Sequence, residues 1–170
     1  TQPLVKAFTF NKATGCRIEM NTQPKDKFSF AGASILVDGL RGNTDFGTGF
    51  WLGYESEPLD VIITFPDMTE ISSVKAGSLL QIGAWIFPLV NMEVYVSENG
   101  QDFISVGKEE FPKIEEKDKD LIKIKEYECP FDKTFAKKIR VIINPLNTIP
   151  DWHGGKGKKA FLFIDELIVE

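Results

Sequence analysis

Period-two alternation of apolar and polar residues runs through most of this chain, and it constrains the fold class more than any other feature. In "DVIITF" it places Val61, Ile63 and Phe65 on one face, and in "MEVYVS" it does the same with Met92, Val94 and Val96. "KIRVIIN" offers Ile139, Val141 and Ile143, and "LFIDELIVE" closes the chain in the same style. With "VKAFTF", "CRIEM", "ISSVKAG" and "IKIKEYE" there are at least eight short strands separated by turn signals. That number and spacing predict an all-β fold, a single antiparallel β-sandwich. Asn99-Gly100 in "SENGQDF" marks a hairpin between two of the strands. Long amphipathic helices, internal repeats and low-complexity linkers are all missing from the pattern. The mixed-charge run "KIEEKDKDLIKIK" reads as a solvated loop leading into a strand.

Residues 1–170 are expected to form one domain, long enough to bury a core without covalent staples. Fourteen phenylalanines suit strands better than helices. A net charge of -5 argues against nucleic acid or an anionic membrane surface as the main partner, with Lys156, Lys158 and Lys159 a local exception. No apolar run approaches the ~20 residues of a membrane span. The opening "TQPLVKAF", without Met, reads as the start of an excised or processed piece. Cys16 and Cys129 allow at most one disulfide, and two separately buried thiols are the expectation.

Catalytic patterns do not assemble. His153, the single histidine, stands two residues from Asp151 in a loop, but no Ser or Cys lies in a nucleophile-elbow context. One His and two distant Cys fall short of a zinc site. "GKGKKA", from Gly155 to Ala160, matches a loose dinucleotide pattern, yet a strand rather than a helix follows, so a phosphate cradle fails on context. A non-catalytic chain is therefore expected.

The aromatic residues point elsewhere. Trp51, Trp85 and Trp152 lie in glycine-rich turn segments, "FGTGFWLGYE", "QIGAWIFP" and "IPDWHGG". An indole on a loop offers a flat apolar face for the C–H face of a sugar, and Arg41, Asp45, Gln81 and His153 could fix hydroxyl groups. Burial at a sheet end is the other reading of such a tryptophan. It is favoured for Trp51, at the start of a strand-like run, and stands level with the sugar reading for Trp85 and Trp152. "LVDGLRGNTD" gathers Asp38, Asn43, Thr44 and Asp45 around glycines, with Glu166 near the C-terminus. These oxygens suit calcium, and an Asp-Gly turn in a capped loop explains them equally well.

"LVDGLRG", "VYVSENGQDFISVG", "KKIRVIIN" and "AFLFIDELIVE" together resemble the discoidin family, the coagulation-factor type C or galactose-binding-like domains. The hairpin over residues 94–107 is the most specific part, with Asn99 where the family usually has Asp, and the matches run from about residue 33 to the end. "GFWLGYE", "GAWIFP" and "DWHGGKGKKAFLFIDEL" add a likeness to the C-terminal modules of Bacteroides-type β-hexosaminidases, or chitobiases. The resemblance implies a jelly-roll sandwich of eight strands and a non-catalytic module binding a galactose- or N-acetylhexosamine-type glycan through loops at one end. Trp85, Trp152, His153 and Arg41 are the candidate sugar contacts. It also implies a covalently linked upstream glycosidase domain and a periplasmic, cell-surface or secreted location. A structural Ca2+ is the expected cofactor, with Asp38 and Glu166 at the family's positions and Asn43 or Asp45 as substitutes for the missing acid. Leu40 stands where calcium-binding members usually carry a second acid. The rival expectation is a structural module that packs against the catalytic domain and binds no sugar.

Overall fold

The computed structural model describes residues 10–170. The expected strand "VKAFTF" (residues 5–10) lies almost wholly outside them. Seven strands are present among the described residues: β1 (Arg17–Met20), β2 (Leu52–Glu55), β3 (Leu59–Gln81), β4 (Leu89–Ser97), β5 (Ile104–Glu110), β6 (Ile122–Pro145) and β7 (Phe161–Val169). Every pairing between them is antiparallel. The only helical elements there are short 3-10 turns, the longest being Gly32–Val37.

Two strands are far longer than the sequence pattern suggests. "DVIITF" and "ISSVKAG" belong to one 23-residue strand, β3, and "IKIKEYE" and "KIRVIIN" to one 24-residue strand, β6. Straight, each would span roughly 75 Å at ~3.3 Å per residue, whereas a domain of this length is only about 40 Å across. They therefore bend, and the register shifts between Thr64 and Thr69 and between Ile71 and Ser73 are where they do it. Before the bend β3 pairs with β1 and with the second half of β6, which continues to β4 and β5. After it, β3 pairs with β7 and the first half of β6, and β7 with β2. The result is a β-sandwich whose two layers share two strands.

The alternating residues meet in the centre. Val61, Ile63, Phe65, Met92, Val94, Val96, Ile139, Val141 and Ile143 all belong to one fully buried cluster. Fully burying such a side chain contributes roughly 1.5–3 kcal/mol. Cys129 lies in this core and Cys16 at its margin, and both thiols are free. Burial pushes the Cys129 thiol up to about 11, which keeps it protonated and inert.

A smaller second core lies on the outer face of the β2-β7-β3-β6 layer. Trp51, Leu79, Ile86 and Phe163 form it, and Phe28, Phe46 and Phe50 from the long N-terminal connection cover it. Phe28 meets the Phe163 ring edge-on at 4.9 Å. Trp51 is completely buried, donates its indole N–H to the Asn43 carbonyl at 2.8 Å and fills the space above Gly42. Covered on both faces, β7 is buried from Leu162 to Val169.

Candidate functional site

The site is built where the chain leaves β3 and where it returns to β7. Ile82–Ala84 is a single 3-10 turn, and Trp85 ends it in the left-handed conformation, φ 70°. For a residue with a Cβ that conformation costs roughly 1–2 kcal/mol. Backbone bonds hold it there: the Trp85 N–H donates to the Ile82 carbonyl at 3.1 Å, and its own carbonyl accepts the Phe161 N–H at 2.8 Å. Trp85 keeps 37% of its surface in solvent.

The second wall is the loop between β6 and β7. It is closed by its own backbone, with Ile149 N–H donating to the Lys158 carbonyl, Gly157 N–H to Ile149, and His153 N–H to Pro150. Trp152 is half-buried, packs on the main core and lies 6.4 Å from the Phe87 ring. His153 meets the same ring edge-on at 5.4 Å. Both histidine nitrogens are engaged, Nε2 with the Ile82 carbonyl at 2.7 Å and Nδ1 with the Gly155 N–H at 2.9 Å.

These elements enclose an open cleft of roughly 400 Å3, lined by Trp85, Trp152, His153, Gly83, Lys119 and Asp120. Three of the four expected sugar contacts thus share one surface. Lys119 and Asp120 come from the segment read as a solvated loop. That loop is anchored through a capping box between Glu115 and Asp118 and through the Ile82 N–H to Leu121 carbonyl bond at 3.1 Å. A charged pair directly before a strand that alternates apolar and charged residues carries no signal that would distinguish a cleft wall from an ordinary solvated turn.

Arg41 is placed differently. Its Nε donates to Asp165 Oδ2 at 3.1 Å, Nη1 lies 3.7 Å from Glu126, and Gly42 N–H donates to the same Asp165 oxygen at 2.8 Å. The guanidinium thus pairs with a fully buried carboxyl on β7, which burial raises above its ordinary value despite the pairing, and it is not among the residues lining the cleft. Gly77 makes room for this pair: a Cβ there would lie 2.1 Å from Asp165 Oδ1 and 2.5 Å from Arg41 Nη2.

The expected calcium ligands divide in two. Glu166 is buried, accepts the Gly39 N–H through both oxygens at 3.1 and 3.2 Å, and interacts with Asp38; burial pushes its carboxyl up to about 9. Asn43 and Asp45 instead close their own turn, Asn43 Oδ1 accepting the Asp45 N–H and Asp45 Oδ1 the Gly47 N–H. Among the described residues no three His, Cys, Asp or Glu side chains converge on a point that could hold a metal.

No protein-family model matches the sequence, and no curated protein matches it. Solved structures do share the fold. The CBM32-5 module of GH89 from Clostridium perfringens, in complex with GalNAc-β-1,3-galactose, has a TM-score of 0.52 and 17% identity, over 90% of this chain and 93% of that one. The C-terminal domain of a chitobiase from Bacteroides fragilis has a TM-score of 0.51 and 19% identity, over 98% and 97%. A Ruminococcus gnavus GH29 fucosidase in complex with fucose has a TM-score of 0.57 and 11% identity over 94% of this chain. This chain spans only 26% of that fucosidase's length. The fold is therefore a β-sandwich shared with these structures, two of them matched along nearly their whole length and the third along part of a longer chain.

Proposed function

We propose that this chain is a non-catalytic carbohydrate-binding module of a glycoside hydrolase, taking glycan in the cleft of Trp85, Trp152, Lys119 and Asp120. One observation carries the reading: the exposed Trp85 indole, held in a disfavoured backbone conformation at the mouth of a cleft with polar walls. Strain of this kind persists where the surrounding structure over-determines it. A half-exposed ring beside a lysine and an aspartate suits a ligand with one apolar face and a rim of hydroxyls. A galactose or N-acetylhexosamine residue has that character.

The fold shared with a module in complex with GalNAc-β-1,3-galactose and with a chitobiase C-terminal domain supports this reading. So does the sequence likeness to β-hexosaminidase modules. We take the parent enzyme to be a β-hexosaminidase-like glycosidase acting outside the cytoplasm, with this domain holding it near its substrate. Each stacked sugar contributes about 1–2 kcal/mol, by analogy with aromatic pairs and stacked bases. A single site is accordingly weak and works through the avidity of the tethered enzyme.

The test is a glycan array probed with the 170-residue chain, followed by titration of the best binder into wild type and Trp85→Gly. Glycine accepts φ 70° without strain, so this substitution removes the ring and leaves the turn intact. The expected result is selective retention of galactose- or N-acetylhexosamine-terminated glycans, weakened at least tenfold by Trp85→Gly. Retention of no glycan would sink the proposal.

One observation favours the rival reading of a packing module. Phe87, Leu89, Phe111, Ile114, Leu146 and Pro150, with Lys113 beside them, line a more enclosed and mostly apolar pocket of about 220 Å3. It offers few partners for hydroxyls and suits an apolar side chain of an adjoining domain better than a sugar.

A further inference from the structure

We propose that His153 and Gly155 are positioning residues that hold the Trp85 indole as a fixed platform, and that His153 makes no ligand hydrogen bond of its own. The inference rests on reading the cleft as a glycan site. It deepens that reading by separating the residue that touches ligand from those that aim it.

The backbone bonds of Trp85 fix its main chain but leave χ1 and χ2 to choose where the ring points. The ring is set from below. A Cβ added at Gly155 would lie 2.7 Å from Trp85 Cε2, 2.9 Å from Cζ2 and 3.0 Å from Nε1. The indole thus occupies the space that any side chain at position 155 would need. Gly155 is buried, and its φ lies outside the left-handed range that the neighbouring Gly157 adopts at 77°. Glycine is required here for the approach of a ring, and the backbone conformation makes no such demand.

His153 ties the floor to the turn. Its Nδ1 accepts the Gly155 N–H, so in the neutral ring Nε2 carries the proton and donates it to the Ile82 carbonyl. Ile82 opens the turn that Trp85 closes, and its carbonyl also accepts the Trp85 N–H. One imidazole therefore joins the residue under the indole to the first residue of the turn that carries it. Phe87 supports the imidazole from the core side in a T-shaped contact. With both nitrogens committed to backbone, none is left for a sugar hydroxyl.

The experiment is a double-mutant cycle in the 170-residue chain with Gly155→Ala, Trp85→Gly and the pair, with His153→Ala alongside. Thermal melts and titrations with GalNAc-β-1,3-galactose and N,N′-diacetylchitobiose are the readouts. Gly155→Ala is expected to lower Tm when Trp85 is present and to leave it unchanged in the Trp85→Gly background, where the space is open. Gly155→Ala and His153→Ala should each weaken disaccharide binding about tenfold, with the far-UV circular dichroism of the wild type. His153→Ala should also raise acrylamide quenching of the indole fluorescence. Equal destabilisation by Gly155→Ala in both backgrounds would overturn the positioning role, whether or not either disaccharide binds. So would binding that Trp85→Gly abolishes and both other variants leave intact. Binding that survives Trp85→Gly would instead remove the glycan-site reading, a separate failure.

Discussion

Arg140 on β6 and Asp60 on β3 form a bidentate pair, with Nε to Oδ1 at 2.9 Å and Nη2 to Oδ2 at 2.6 Å. Asn21, just beyond β1, donates to the same Oδ1 at 3.0 Å. One carboxylate thereby fastens three neighbouring strands at the end of the sandwich where Leu59 pairs with Ile143.

The pair makes acid stability predictable. Burial alone would raise the Asp60 carboxyl, but the hydrogen bonds from Arg140 and Asn21 outweigh it and hold it below the ordinary value. A depressed carboxyl contributes stability above its unfolded value of 3.8 and loses it as pH falls through the folded value. Asp60→Asn should therefore cost about 2 kcal/mol at pH 7, the size of hydrogen bonds to a charged group, and less at pH 3. Urea unfolding at the two pH values measures this. An equal cost at both would show that charge plays no part.

The outer core gives a steric prediction. A Cβ on Gly42 would fall 2.2 to 2.5 Å from the Trp51 indole, which is wholly buried and already hydrogen-bonded to Asn43. Gly42→Ala should destabilise the chain by about 1–3 kcal/mol through overpacking, and Trp51→Ala by about 3–5 kcal/mol through the cavity it leaves. Denaturant midpoints would check both, and a neutral Gly42→Ala would show that the covering loop relaxes freely.

This outer core also shows where the sequence stops being legible. Alternation identified the inward faces of β3, β4 and β6 residue by residue, because the pleat dictates which side chains share a face. It says nothing about what lies over the other face. Phe163 and Leu79 are buried outward only because Phe28 and Phe46 arrive from more than a hundred residues away in the case of Phe163. Arg41 illustrates the same limit: a loop arginine among glycines suggests a ligand contact, and only the three-dimensional fold brings it to Asp165, 124 positions on. The glycine-rich turns did mark Trp85 and Trp152 as end-of-sheet residues. Which indole is more exposed depended on Gly155 and Phe87, which no local pattern links to them.

The two cleft tryptophans should accordingly separate in stability. Trp152 packs on the main core beside Phe87, whereas Trp85 rests on the surface of the loop that holds Gly155. Trp152→Ala should cost about 2–3 kcal/mol, short of a full cavity because the ring is only half-buried. Trp85→Gly should change stability by less than about 1 kcal/mol, since relief at φ 70° offsets the lost packing. Equal losses in both would make Trp85 a core residue and favour the packing module.

Metal removal tests the expected calcium site. Asn43 and Asp45 each accept a backbone N–H of their own turn, while Glu166 accepts the Gly39 N–H next to Asp38. Chelation should leave Tm unchanged within error. A native-only ion at a hundredfold excess over its dissociation constant would contribute ~2.7 kcal/mol, so a drop of several degrees would reveal a cation bound through Asp38, Glu166 and backbone carbonyls.

Lys119 and Asp120 give the last prediction, because they line the cleft without belonging to the core. Both come from the loop that the Glu115–Asp118 capping box secures, and the side-chain bonds of that box involve neither of them. If the cleft binds glycan, these are the groups free to meet ring hydroxyls, the lysine donating and the aspartate accepting. Replacing one partner of a hydrogen bond to a charged group costs about 1.5–3 kcal/mol in a desolvated site and less in an open one. Lys119→Ala and Asp120→Ala should each weaken glycan binding about threefold to tenfold, with Tm within a degree of the wild type. Asp120→Asn should recover part of the loss, since the amide oxygen still accepts. Binding indifferent to both residues would place the sugar on the indole face alone and leave its hydroxyls to water.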